Sequence, residues 1–151
     1  MQAAFDNDFL FLLYDVARTM RTRADQRART RGMTRAQWVI LARLERQPGM
    51  TQNEMAAIVE VEPITIARLV DRLEARGLVA RKADPKDRRM WRLHLRPAAA
   101  PVLREIAKYR AEINALITAG MNPAIQKTIT DGLLQMKANL AAEARAVGKT
   151  G

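Results

Sequence analysis

The chain has no cysteine. Disulfides, thiolate metal sites and cysteine-based redox sensing are therefore excluded. Histidine occurs once, at His94, and no histidine and carboxylate set has catalytic spacing. There is no P-loop and no glycine-rich phosphate fingerprint. These absences make an enzyme the weakest reading and call for no metal or cofactor. No apolar run approaches the roughly 20 residues of a membrane span. The opening MQAAFDND lacks the basic region of a secretory signal. A helix lying on a membrane surface would need bulky apolar anchors, and the basic part of the first helix has none after Met20. The expectation is a cytoplasmic protein with no membrane partner.

What the chain has in excess is positive charge, a formal +10 from 26 lysines and arginines against 16 acids. A field of that sign concentrates phosphates and speeds encounter with polyanions, nucleic acid before all others. At 151 residues and 48% hydrophobic content the chain is expected to fold as a single domain with a real core.

Apolar spacing predicts helices with one interruption. Leu12, Leu13, Val16 and Met20 recur at three and four, and that helix turns basic through Arg21, Arg23, Arg27 and Arg29 before ending near Gly32. Its start, FLFLLY, is apolar nearly all round, which suits either a dimer seam or a deep monomer core. Thr34 with Gln37, and Thr51 with Glu54, form capping-box patterns ahead of two short helices. Met50 and Met55 are placed as a hydrophobic staple at the second of these. Pro63 suits the first position of a further helix and Gly77 its left-handed stop, giving a helix over 63–76. Ile66, Leu69, Val70 and Leu73 make its packed stripe, while Thr65, Arg68 and Arg72 fall on another face. The period then changes. Residues 78–81 read as a strand, 83–88 as a turn and 90–95 as a returning strand. Two longer helices follow Pro97, separated by Gly120, Asn122 and Pro123, with a frayed end over 148–151.

The fold class expected is mainly α with a small β-hairpin wing, a winged helix-turn-helix with helical extensions. Between Arg68 and Arg96 ten cations stand against four acids, a net +6 that is more than half of the chain's charge. A helix fits the major groove of double-stranded DNA, and a narrow hairpin tip can enter the minor groove, where negative potential is deepest. The tip is DPKDRRMW, residues 84–91, with Arg81, Lys86, Arg88 and Arg89 as candidate DNA contacts. Asp87 is assigned the role of holding the planar fork of Arg89 before DNA arrives. The competing reading of that tip is an ordinary solvated turn with surface ion pairs of little worth. Arg68 and Arg72 can each grip guanine or clamp a phosphate, and Thr65 is a lesser candidate. Gln52 lies at the start of a helix, where backbone amides favour phosphates. Ile64 suits a thymine-methyl contact or simple packing. His94 reads as a plain cross-strand residue or as a group tuning phosphate contact.

The run EPITIARLVDRLEARGLVARKADPKDRRMWRLHLRPAA closely resembles the core of the MarR/SlyA family of winged-helix transcription regulators. The preceding MTRAQWVILARLERQPGMTQNEMAAIVEV is similar to that family's second and third helices, so the resemblance is strong over about residues 33–100. It implies a DNA-binding lobe over 33–96 and a helical dimerisation lobe from 1–32 and 97–147. It also implies a homodimer on a palindromic operator, usually a repressor, with the helix at Pro63 as recognition helix and Arg89 as the minor-groove arginine. Members often bind small aromatic or phenolic anions between the two lobes. Arg18, Arg21 and Trp38 are the candidates for such an effector site, although Trp38 also suits the core and the arginines suit solvent. A nonspecific architectural DNA binder would use the same charge without base readout.

Two departures from the family pattern carry expectations. Arg96 stands where a threonine N-cap is usual, so the start of the next helix is expected to be shifted or loosened. Pro101, read as lying past the first turn, should delete a helical hydrogen bond. Ile64 is the second departure, at a position where a small hydroxyl residue is common.

Overall fold

The computed structural model describes residues 7–148. They divide into two compact units, with the boundary between Ala111 and Glu112. In the first, α1 (Phe9–Arg29) is capped by Asp8, whose carboxylate accepts from the amides of Leu10 and Phe11. The helix α2 (Arg35–Arg46) carries the complete capping box of Thr34 and Gln37, and α3 (Gln52–Val59) that of Thr51 and Glu54. Each box satisfies two helix-terminal amides that would otherwise lack partners. The helix α4 (Pro63–Ala75) follows after a tight turn in which Glu60 takes the left-handed conformation at φ 59°.

Strands β1 (Val79–Ala83) and β2 (Trp91–Leu95) pair antiparallel, with Val79 opposite Leu95 and Ala83 opposite Trp91. The first strand runs two residues further than the alternation predicts, because the amide of Asp84 still bonds the carbonyl of Met90 at 2.9 Å. Residues 49–51 lie along the other edge of β2: the amide of Gly49 donates to the carbonyl of Leu93 at 2.9 Å, and the amide of Leu93 donates to the carbonyl of Met50 at 2.9 Å. The base of the wing is thereby tied to the loop entering α3.

A 3₁₀ turn (Pro97–Ala99) leads into α5 (Ala100–Ile117). The side chain of Arg96 makes no cap bond, and the chain enters the helix through that turn instead. The start is shifted, one of the two outcomes expected, but its consequence for Pro101 is reversed. With the α-helix beginning at Ala100, the proline sits in the first turn, where a missing N–H costs nothing. In the second unit α6 (Pro123–Val147) is capped by Asn122, which accepts from the amide of Ile125. The fraying expected at 149–151 lies outside the described residues.

The core of the first unit is built from the apolar stripes read off the sequence. Ile40, Leu41 and Leu44 of α2, Met55 of α3, and Ile66, Val70 and Leu73 of α4 meet Val79 and Leu93 of the hairpin, all fully buried. Burying each such side chain stabilises the fold by about 1.5–3 kcal/mol. Ile106 of α5 joins this core, and Glu105 one residue earlier is gripped by Arg27 of α1 at 3.0 Å and by Arg31 in the turn after α1 at 3.1 Å. Those guanidiniums hold the Glu105 carboxyl below its ordinary value, the Arg27 hydrogen bond contributing most.

The FLFLLY segment is not a monomer core. Phe9, Leu10, Phe11, Leu12, Leu13 and Tyr14 are all exposed in the single chain, as is Val16. Within the second unit, α6 likewise exposes Ile125, Ile129, Leu133, Leu134 and Leu140.

Candidate nucleic-acid interface

The helix α4 divides its faces as its sequence predicts. Ile66, Leu69, Val70 and Leu73 are buried, and Thr65, Arg68 and Arg72 are exposed on the opposite stripe. Pro63 occupies the first turn, where its fixed φ suits the helix and its lacking N–H is harmless. Ile64 stands beside it with 63% of its surface exposed, so the packing reading of this residue does not hold.

The hairpin loop is organised by two aspartates in succession. The Oδ1 of Asp84 accepts from the amides of Lys86 at 2.7 Å and Asp87 at 3.1 Å. Its Oδ2 accepts from the Nε of Arg92. Three donors hold this buried carboxyl below its ordinary value, the Lys86 amide first and Arg92 next. Asp87 repeats the device one turn on. Its Oδ1 accepts from the amide of Arg89 at 3.0 Å and from the Nε of the same residue at 3.3 Å. The structure thus places Asp87 against Arg89 as the sequence reading assigned it, while the Arg89 side chain stays 92% exposed. Lys86 and Arg88 are exposed beside it.

Arg81 is placed otherwise than expected. Its side chain is only 16% exposed and its guanidinium is taken up inside the protein. The Nε donates to Gln52 at 3.0 Å, NH2 to the carbonyl of Ala67 at 2.9 Å, and NH1 meets Asp71 at 2.7 Å and Glu74 at 2.9 Å. A guanidinium so occupied links the wing to α3 and α4 and has little left for a phosphate. The same contact engages only the Oε1 of Gln52 and leaves its donating amide nitrogen out of that bond. Nothing in a linear sequence separates an inward-turned strand arginine from an outward one, except that Arg81 alternates with the exposed Lys82.

Arg92 is a second linking residue that the sequence reading counted only as charge. Besides Asp84, its NH1 holds the carbonyl of Gly49 at 2.8 Å. All four acids between Arg68 and Arg96 are thus engaged with arginine: Asp71 and Glu74 with Arg81, Asp84 with Arg92, and Asp87 with Arg89. The cations left outward include Arg68, Arg72, Lys86, Arg88 and the tip of Arg89. A notch of about 50 Å³ between the start of α3 and the wing adds two residues that sequence reasoning missed, Asn53 and the 44% exposed Trp91. The available signal was an aromatic residue closing the basic tip, where the returning strand begins. His94 lies opposite Ala80 with its ring against Gly49, as a cross-strand residue would.

The expected effector residues do not assemble. Arg18 pairs with Asp15 at 3.2 Å with both side chains exposed, and Arg21 is also exposed. Trp38 is 4% exposed and packs on Tyr109 with ring centroids 5.8 Å apart. It does line a cavity of about 300 Å³, but the cations around that cavity are Arg35, Arg43, Arg46 and Arg110. Three of the four come from α2, one face of which supplies them at helical spacing.

Two capped short helices, a third helix with an outward basic stripe and a basic two-stranded wing define a winged helix-turn-helix. The MarR family model matches residues 33–90, which include α2, α3, α4 and most of the wing. The crystal structure of one transcriptional regulator is 35% identical, covers 89% of this chain and 98% of its own, and superposes with a TM-score of 0.78. A MarR family regulator from Silicibacter pomeroyi shares the fold at a TM-score of 0.81, with 23% identity over 89% of this chain and 91% of its own. A curated protein of Thauera aromatica, whose name assigns it provisionally to transcriptional regulation of the hcr operon, is 32% identical over 77 residues. That match spans 51% of this chain and about half the length, 46%, of the relative. The chain belongs to the MarR family. These relatives are described as regulators of transcription rather than as enzymes. Among the described residues no helix is long and apolar enough to cross a membrane.

Proposed function

We propose that this protein is a sequence-specific double-stranded DNA-binding transcriptional regulator, a cytoplasmic repressor that binds a palindromic operator as a homodimer. One observation carries the reading. The four acids of α4 and the wing are engaged by three arginines, Arg81, Arg89 and Arg92, while Arg68, Arg72, Lys86 and Arg88 are exposed, so what these elements offer outward is mainly cationic. In this reading α4 enters the major groove with Ile64, Thr65 and Arg68 near its leading end, and Arg72 further along. The wing carries Arg89 to the minor groove, held by Asp87, with Lys86 and Arg88 on flanking phosphates. Arg81 positions the wing and makes no base contact.

The homodimer is supported by apolar surface that a lone chain would leave in water. Six consecutive residues of α1 and five of the large apolar residues of α6 are exposed, more than a solubly folded monomer commonly shows in contiguous stretches. Residues 1–32 and 97–147 are accordingly assigned to dimerisation, and 33–96 to DNA binding. A two-fold dimer would set the recognition helices about 34 Å apart, on half-sites about 10 base pairs apart. Release by a small aromatic or phenolic anion is assigned to the cavity beside Trp38. Such a ligand must bind the form that cannot hold DNA more tightly than the form that can.

The test is selection of random duplexes by the purified protein, followed by gel shift of the winner against a scramble at one salt concentration. The expected result is a palindrome bound about 10³-fold or more above the scramble, and lost in Arg89→Ala. Uniform, salt-sensitive binding to every duplex would replace this reading with an architectural DNA binder.

A further inference from the structure

Trp91 is the exception on its face of the hairpin. Side chains of β2 alternate, so Trp91, Leu93 and Leu95 share the side that packs on the helices. Leu93 is fully buried there, whereas Trp91 is 44% exposed, because the strand has run past the edge of the core. Thr51 pairs with Arg92 as an isolated bridge, which sets Trp91 beside the first residues of α3. The two elements enclose the notch of about 50 Å³, lined by Thr51, Gln52, Asn53, Arg89, Met90 and Trp91.

None of those six residues is acidic, and the polar groups among them are able to donate. Arg81 occupies the Oε1 of Gln52 and leaves its amide nitrogen out of that bond. Asn53 is exposed, and Asp87 engages the Nε of Arg89, leaving the rest of its fork. The notch also lies between the two elements assigned to grooves, the helix pair α3 and α4 on one side and the wing with Arg89 on the other. One sugar–phosphate strand separates a major groove from the adjacent minor groove. A duplex that takes α4 in the one and Arg89 in the other lays that strand between them, over the notch. Its deoxyribose offers an apolar face to an indole and its phosphate accepts from amides.

We infer that Trp91 is a duplex-contact residue: its indole packs on a deoxyribose of the strand dividing the two grooves, with the side-chain amides of Gln52 and Asn53 on the adjoining phosphate. The inference rests on the docking proposed above and adds to it a neutral contact that carries affinity without base readout. Tryptophan is suited to that role, since a large rigid ring contributes more contact area than most side chains and dominates many binding surfaces.

The experiment has two readouts on the full chain, with the selected operator and its scramble as probes. The first is quenching of tryptophan emission by acrylamide, a neutral quencher that the duplex does not repel. Of the two tryptophans Trp38 is only 4% exposed, so the quenchable emission belongs to Trp91. Saturation with either duplex should remove most of that quenching, and this measurement needs no variant. The second is binding by Trp91→Ala and Trp91→Phe, with circular dichroism checking the fold. Trp91→Ala should weaken operator and scramble alike by about tenfold. It should leave the salt dependence of binding unchanged, because a neutral side chain releases no counterions. Trp91→Phe, which keeps an aromatic face, should retain most of the affinity. A bound duplex that leaves Trp91 as quenchable as before, an alanine variant that binds like wild type, or a loss confined to the operator would each overturn the inference. A protein that binds every duplex equally would sink the sequence-specific reading and leave this one standing, since the contact is read on the scramble as well.

Discussion

Arg92 donates from Nε to the buried carboxylate of Asp84, and NH1 of the same guanidinium holds the carbonyl of Gly49 at 2.8 Å. Asp84 in turn organises the amides of Lys86 and Asp87, and Asp87 holds Arg89. A chain of contacts therefore runs from the loop entering α3 to the tip of the wing. On the neighbouring strand Arg81 ties β1 to α3 and α4. The wing is anchored at its root by two arginines so that a third, Arg89, can be presented at its tip.

Acid should weaken this anchor with a definite sign. The folded pKa of Asp84 is depressed below its ordinary 3.8, so its contribution to stability is fully present above that value and is lost as pH falls through the folded value. Glu105, held by Arg27 and Arg31, is depressed from 4.5 and adds a contribution of the same sign. The difference in unfolding free energy between wild type and Asp84→Asn should thus stay constant from neutral pH down to about pH 5 and shrink below pH 4. Urea titrations at stepped pH check this. A difference that grows in acid would contradict the geometry.

Arg81 and Arg89 should behave as opposites. Arg81→Met removes bonds to Gln52 and Ala67 at a residue only 16% exposed, and should cost about 1–3 kcal/mol of stability. Arg89→Ala touches a side chain 92% exposed, so denaturation should hardly change while operator binding falls. Chemical denaturation and gel shift on the same two preparations give the comparison. Arg81→Met that is fully stable but fails to bind would return Arg81 to the DNA contacts.

That contrast marks what the sequence could disclose. The apolar stripes of α2 and α4, the two capping boxes and the Pro63 to Gly77 limits are local patterns, and each appears in the structure where its spacing put it. The aspartate at Asp87 was legible because its partner stands two residues away. Arg81 and Arg92 were not legible, because their partners Ala67, Gln52 and Gly49 lie 14, 29 and 43 residues away. Charge counted along a chain cannot tell a guanidinium spent inside from one left outside. The cavity cations were missed for the same reason. Arg18 and Arg21 share the first helix with other arginines, whereas Arg35, Arg43 and Arg110 meet only when α2 and α5 pack. Pro101 was misjudged because a 3₁₀ turn moved the helix start by three residues.

The two arginines of the recognition helix are expected to differ. In the proposed docking Arg68 lies nearer the end of α4 that would lead into the groove, where base edges are read, and Arg72 lies one turn further along. Arg68→Ala should cost about 1–3 kcal/mol on the operator and relax preference at one base position. Arg72→Ala should weaken operator and scramble alike and reduce the slope of log K against log salt by about 1. Binding isotherms on both duplexes over a salt series separate the two outcomes, and equal losses on both duplexes for Arg68→Ala would make it a phosphate contact.

The apolar faces of α1 and α6 give the last test, because the same substitution has opposite meanings for a monomer and a dimer. Leu12 is 46% exposed and Leu133 is 45% exposed in the single chain, so a charge at either position should disturb an isolated fold little. In a dimer both would be buried against a partner, and an unpaired carboxylate there would carry a desolvation cost of several kcal/mol. Leu12→Asp and Leu133→Asp should therefore shift sedimentation from twice the chain mass to once, with helical content retained. Operator binding should fall with the dimer, since one recognition helix can hold only one half-site. A wild-type chain that sediments as a monomer and still protects two half-sites would mean that DNA, rather than these helices, brings the two copies together.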